Sequence, residues 1–117
     1  MSKKITAGPL VTEVKRLQKE FPEAVYKRKS GKNCSYSSGT VSKGPKTHGC
    51  LVGQALRNVY PDLFNIAKKE YDTYGVKELL DDLNITATQN QIDYLETVQS
   101  NQDDRVCWGK CYRLNDE

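Results

Sequence analysis

The sequence predicts an α+β domain, mostly helical, that carries one basic β-hairpin. Three observations lead to this. Apolar residues recur at three- and four-residue spacing along most of the chain, which is the period of a helix with one buried face. Residues 24–48 break that pattern and are instead extended and turn-rich. The charge is sorted by half: residues 1–57 hold 12 Lys/Arg against 3 Asp/Glu, and residues 58–117 hold 6 against 12. A net charge of +3 over 117 residues therefore hides a strongly basic segment and an acidic one. Such a basic surface suits an anionic partner: nucleic acid, nucleotide or acidic protein.

A chain of this length is one domain by the usual size relation. A domain of this size buries roughly 65% of its unfolded surface, enough for one modest core. Residues 1–8 read as a flexible basic tail and residues 9–117 as a single globular domain. Pro9 can open a helix in its first turn. Leu10, Val14, Leu17 and Phe21 then follow helical spacing, and Pro22 ends the helix near Glu20. Lys15, Arg16 and Lys19 fall on its polar side.

Ala24–Arg28 and Cys34–Ser37 read as extended segments. The turn-rich run at residues 29–33 joins them into a hairpin. Residues 37–46, with two glycines and Pro45, read as a mobile loop. From Gly49 the chain turns helical again. Cys50, Leu51, Val52, Ala55, Leu56 and Val59 leave little polar surface, so this helix is expected at the centre. Pro61 begins a helix through Leu63, Phe64, Ile66 and Ala67, and a shorter one covers Val76, Leu79, Leu80 and Leu83. Thr88-Gln89-Asn90-Gln91 fits a capping box, with Thr88 as cap and Gln91 at the third helical position. The helix it opens presents Ile92, Leu95, Val98 and Gln99 on one side, and residues 106–113 form a last short helix or turn. Leu51, Val52, Leu56, Ile92, Leu95 and Val98 are expected to share one core.

No stretch approaches ~20 consecutive apolar residues, so no membrane span is expected. The start, Met1-Ser2-Lys3-Lys4, lacks an apolar signal core, which leads to the expectation of a cytoplasmic protein. Four cysteines, Cys34, Cys50, Cys107 and Cys111, could pair as disulfides, but the cytosol keeps thiols reduced. With His48, the lone histidine, they could also supply zinc ligands. The spacing contains no C-x2-C knuckle, and buried Cys commonly behaves as a small hydrophobe. Neither metal nor cofactor is therefore expected. Gly31-Lys32 fails as a phosphate-binding loop, because Tyr26 stands where the earlier glycine is required and Asn33 replaces Ser/Thr. No catalytic constellation is identifiable, so the chain reads as non-enzymatic.

Two regions carry the binding expectation. The hairpin interleaves cations with flat rings at Tyr26, Arg28, Lys32, Tyr36, Lys43 and Lys46, beside His48. Cations serve phosphates and rings stack on bases. The second region is Gln54, Gln99, Gln102 and Trp108, where amides could read polar edges. A captured nucleotide-like anion is the leading reading. A nucleic acid held by the same hairpin and an inhibitor docked on a host protein are the alternatives. The acidic half could also mate with another copy's basic half, giving a homo-oligomer.

Gly49-Cys50-Leu51-Val52-Gly53-Gln54-Ala55-Leu56 forms one distinctive segment. Tyr94-Leu95, Val98-Gln99, Gln102-Asp103 and Trp108-Gly109 form another. In these segments the chain resembles a group of small uncharacterised bacteriophage proteins, notably from phages of actinobacteria. That group shows a G-C-(I/L/V)-V-G-Q-A-L helix and a V-Q-x-x-Q-D-x-x-x-x-W-G ending. Where the group usually continues W-G-x-A, this chain has Cys111. The resemblance implies phage origin, hence the host cell cytoplasm. It also implies a role of the kind such proteins often play, binding and disabling host factors that include defence components.

Overall fold

The structure is a computed structural model and describes residues 5–27, 36, 40–45, 49–70, 75–103 and 107–110. Five helices run in chain order: α1 (Gly8–Glu20), α2 (Leu51–Val59), α3 (Pro61–Glu70), α4 (Val76–Asp82) and α5 (Gln89–Asp103). Between α1 and α2 lie two short strands, β1 (Val25–Lys27) and β2 (Thr40–Ser42). A 3₁₀ turn at Trp108–Lys110 follows α5. The architecture is mostly helical α+β, as the periodicity predicts.

Each helix boundary has a local cause. Pro9 occupies the first turn of α1, and Phe21 closes its end by donating its N–H to the Leu17 carbonyl at 2.8 Å. Pro22 cannot continue the ladder. Helix α4 ends in a left-handed cap at Asn84 (φ 58°). Here Ile85 N–H bonds Leu80 O at 2.9 Å and Asn84 N–H bonds Asp81 O at 3.2 Å, the paired bonds of a Schellman ending. At α5 the capping box is present in both directions. Thr88 N–H donates to Gln91 Oε1 at 2.9 Å, and Gln91 N–H donates to Thr88 Oγ1 at 3.2 Å.

The two strands are antiparallel, with Tyr26 opposite Val41 and Val25 opposite Ser42. The second strand differs from expectation. The described partner of β1 is Thr40–Ser42, inside the stretch read as a mobile loop, while of the expected segment Cys34–Ser37 only Tyr36 is among the described residues. The β-branched run Thr40-Val41 supplies the strand, because Val41 packs against the core across from Tyr26. Lys43 (φ 56°) and Gly44 then turn the chain away. Residues 28–35 and 37–39, which include the expected turn, lie outside the described residues.

The tail also differs from expectation. Residues 1–4 are outside the described residues, but Ile5–Ala7 are pinned. Ala7 N–H donates to Thr86 O and Thr86 N–H donates to Ile5 O, both at 2.8 Å. The Tyr60 hydroxyl adds a bond to Thr6 O at 2.8 Å. Ala7 is fully buried, so apolar contact reinforces the backbone pairing.

The core joins α1 (Leu10, Val14, Leu17), α2 (Leu51, Val52, Ala55, Leu56), α4 (Leu79, Leu80) and α5 (Leu95, Val98). Five of the six residues expected to share it are buried, and Ile92 packs against it half-buried. Tyr26, Tyr36 and Trp108 are among its largest side chains. No described helix is long and apolar enough to cross a membrane.

Helix α2 is built by its first six residues. Gly49 has φ 112°, a left-handed conformation that side chains rarely adopt. Cys50 caps the helix, its Sγ accepting from Gly53 N–H at 3.4 Å. Gln54 folds back so that Nε2 donates to Gly49 O at 3.1 Å. At Gly53 the backbone of Tyr36 lies directly on the helix: an added Cβ would sit 2.6 Å from Tyr36 Cα. Gly53→Ala is therefore expected to destabilise the fold by about 1–3 kcal/mol, because backbone has to move to make room. Gly75→Ala, where the nearest atom to a new Cβ is the Glu78 carboxylate at 3.8 Å, should change stability little. Equal melting temperatures for the two variants would contradict this packing.

Candidate functional site

The expected site residues separate into interior and surface groups. Tyr26 and Tyr36 are 1% and 0% exposed, so their rings are core packing and offer no stacking face to a ligand. Trp108 is likewise fully buried. Its backbone N–H donates to Ala24 O at 2.8 Å, and Gly109 N–H donates to Pro22 O at 3.0 Å, sealing the 3₁₀ turn against the segment after α1. Gln54 is buried and turned to its own helix start, which makes it a structural amide. Gln99 is half-buried on α5. Lys43 is exposed beside β2. Arg28, Lys32, Lys46, His48 and the side chain of Gln102 lie outside the described residues, as do Cys34 and Cys111. Cys50 is buried and makes no disulfide among the described residues.

These placements correct the expected roles for a common reason. The rings of Tyr26, Tyr36 and Trp108 are among the largest apolar surfaces near the helices, and burying them outweighs leaving them for a ligand. The G-C-L-V-G-Q-A-L segment is accounted for letter by letter by conformation, capping, close approach and burial.

The cavity of interest lies elsewhere. It has a volume of about 600 Å³ and is lined by Lys15, Gln18, Lys19, Pro22, Tyr94 and Gly109. That is within the range of roughly 300–1,000 Å³ typical of small-molecule sites. Helix α1 supplies one wall, because residues 15, 18 and 19 follow the i, i+3, i+4 stripe of a single helix face, and Pro22 extends that wall from the turn after the helix. Helix α5 contributes Tyr94, and the 3₁₀ turn closes the cavity with Gly109, whose added Cβ would meet Pro22 at 2.9 Å.

The polar side of α1 is divided electrostatically. Toward one flank, Arg16 holds Glu13 through two bonds (2.8 and 2.6 Å) and Glu20 through a third (2.8 Å). Asn58 of α2 donates a further bond to Glu13 at 2.8 Å. Lys15 and Lys19, at the cavity, have no carboxylate partner among the described residues. Like charges at i, i+4 repel by roughly 0.2–0.5 kcal/mol. The Lys15 ammonium lies over the Tyr94 ring, 5.2 Å from its centroid. Tyr94 in turn donates its hydroxyl to Gln18 Oε1 at 2.6 Å. Gln18 is only 4% exposed, and its Nε2 is buried with no acceptor among the described residues. Trp108 Nε1, in the core and not in the cavity lining, is another buried donor without an acceptor among the described residues. Two ammonium groups and one buried N–H donor without an acceptor among the described residues, at one cavity, are chemically suited to an anion, which brings only acceptors.

Sequence reasoning placed Lys15 and Lys19 on a polar face but missed Gln18. The missed signal was a glutamine in the same stripe as Lys15 and Lys19, one residue after the buried Leu17 and one turn after the buried Val14. No protein-family model, no curated protein and no solved structure matches the chain.

The Arg16 guanidinium holds the Glu13 carboxyl below its ordinary value of 4.5; burial opposes this and the Asn58 bond adds to it. Because the folded value is depressed, this group stabilises the fold above the ordinary carboxylate range. That contribution is lost as pH falls from about 4.5 through the lower folded value. Glu13→Gln should flatten that part of the acid limb of stability against pH, measured by urea unfolding. An unchanged limb would show that the carboxylate contributes nothing there.

Proposed function

We propose that the protein is a non-enzymatic binding protein that captures a small, nucleotide-like anion in the cavity between α1, α5 and the 3₁₀ turn. The observation that carries this reading is the pair of lysines flanking the buried amide nitrogen of Gln18, the lysines without carboxylate partners and the nitrogen without an acceptor among the described residues. A ligand phosphate would relieve the Lys15–Lys19 repulsion and supply the missing acceptor, while Tyr94 and Pro22 offer apolar surface to the rest of the molecule.

The resemblance to small bacteriophage proteins supports a biological setting in which capture of a host signal serves host takeover or counter-defence. Because the shared G-C-L-V-G-Q-A-L segment is structural, that resemblance speaks to a common scaffold more than to a common ligand. The alternative of a nucleic-acid binder is less favoured, because its stacking rings, Tyr26 and Tyr36, are interior.

Native mass spectrometry of the protein taken directly from cells, followed by calorimetric titration with nucleoside monophosphates, tests the reading. Expected are a bound small anion, a shallow dependence of affinity on salt, and loss of binding in the Lys15→Glu/Lys19→Glu double variant. Long nucleic acid bound with a salt slope near −0.7 to −0.9 per phosphate contacted would favour the hairpin instead. Absence of any anion binding would remove the proposal.

A further inference from the structure

We infer that Gln18 and Tyr94 form a fixed-donor seat for a single phosphoryl group, so that the ligand class is a phosphate monoester with a planar or apolar body. This deepens the anion-capture reading above and rests on it. The seat follows from how the amide is held. A glutamine amide can present either its oxygen or its nitrogen, and a free one would suit many ligands. Here Tyr94 donates its hydroxyl to Oε1 at 2.6 Å, which engages the oxygen and leaves Nε2 without an acceptor among the described residues. A buried N–H without an acceptor is costly. A ligand oxygen that reaches it therefore gains more than the same bond would give in water.

The surrounding charge narrows the ligand. Lys15 and Lys19 bracket Gln18 on consecutive turns of α1, each exposed and without a carboxylate partner among the described residues. Two ammonium groups match the charge of a phosphate monoester, close to −2 near neutral pH, better than that of a monocarboxylate. The Gln18 nitrogen is shielded from bulk water, so one wall side chain moves when the ligand enters. Lys15, laid over the Tyr94 ring, is the side chain that can swing away and meet the phosphate. The cavity that remains, walled by Pro22, Tyr94 and Gly109, is large enough for a body of nucleoside size. Tyr94 is a positioning residue in this scheme. It touches the ligand through Gln18, by fixing which end of the amide faces it.

The test uses the full chain in a phosphate-free buffer, with guanosine monophosphate, inorganic phosphate and guanosine as probes. In wild-type protein the Gln18 side-chain amide resonances are expected to shift on adding the monophosphate. They should shift more weakly with inorganic phosphate and not at all with guanosine. Gln18→Met should lower affinity for the monophosphate by about tenfold or more, the loss of one hydrogen bond to a charged group. Tyr94→Phe should lower it less and broaden or double the Gln18 amide signals, a change that a merely packed ring would not cause. If Gln18→Met fails to fold, the wild-type amide shifts and the Tyr94→Phe variant still decide. A monophosphate that binds with dependence on Lys15 and Lys19 but leaves the Gln18 resonances unmoved would overturn the seat and leave the capture reading standing. Failure of all three probes to bind wild-type protein would overturn the seat. If no other small anion bound either, the capture reading would fall with it.

Discussion

The close approach of the Tyr36 backbone to helix α2 at Gly53 is the constraint on which the rest of the structure depends. It brings a segment from the middle of the chain onto the central helix without a side chain between them. Tyr36 is fully buried there, and Tyr26 joins it in the same core from β1. The ribbon is anchored by Tyr26 of β1, since a two-stranded sheet of three residues per strand has little stability of its own. The neighbouring residues of α2 serve the same contact. Gly49 turns the chain, Cys50 caps the helix, and Gln54 ties the turn to the helix through the Gly49 carbonyl.

A second approach, at the other end of the ribbon, makes the cavity. The 3₁₀ turn is bonded to Pro22 and Ala24, so residues far apart in sequence close over the end of α1. Trp108 fills the interior beneath that closure. Gly109 then stands close enough to Pro22 to form a wall with it. The cavity is a consequence of sealing the chain's last described turn onto its first helix. Its chemistry comes from whatever the outer stripe of that helix carries, which is Lys15, Gln18 and Lys19.

Helix α1 therefore has two polar flanks with different roles. On one, Glu13, Arg16 and Glu20 satisfy each other, and Asn58 links them to α2. Exposed pairs of this kind contribute little to stability, but they consume the nearby carboxylates. On the other flank the lysines are left without carboxylate partners among the described residues, and the charge that remains available is positive. On α1 itself the pairing pattern thus leaves positive charge at the cavity, which the total charge does not reveal.

Much of the fold was legible in the sequence because it is local. Pro9 and Pro22 bracket α1, Pro61 opens α3, and Thr88 with Gln91 caps α5. In each case the cause and the effect lie within a few residues of each other. Helical spacing likewise identified Leu51, Val52, Leu56, Leu95 and Val98 as core. The pairing of β1 with Thr40–Ser42, the pinning of Ile5–Ala7 by Thr86, and the inward turn of Tyr26, Tyr36 and Trp108 were not legible. Each depends on which distant surface the residue meets, and residue type alone leaves an aromatic ring equally suited to a core or to a ligand. The candidate site is of the same kind. The sequence by itself set the helical period, the caps and the basic charge of α1. Only the tertiary structure decided that Gln18, between two lysines, would meet Tyr94 of α5 under the closing turn at Gly109, because burial and partner choice are properties of the packed chain.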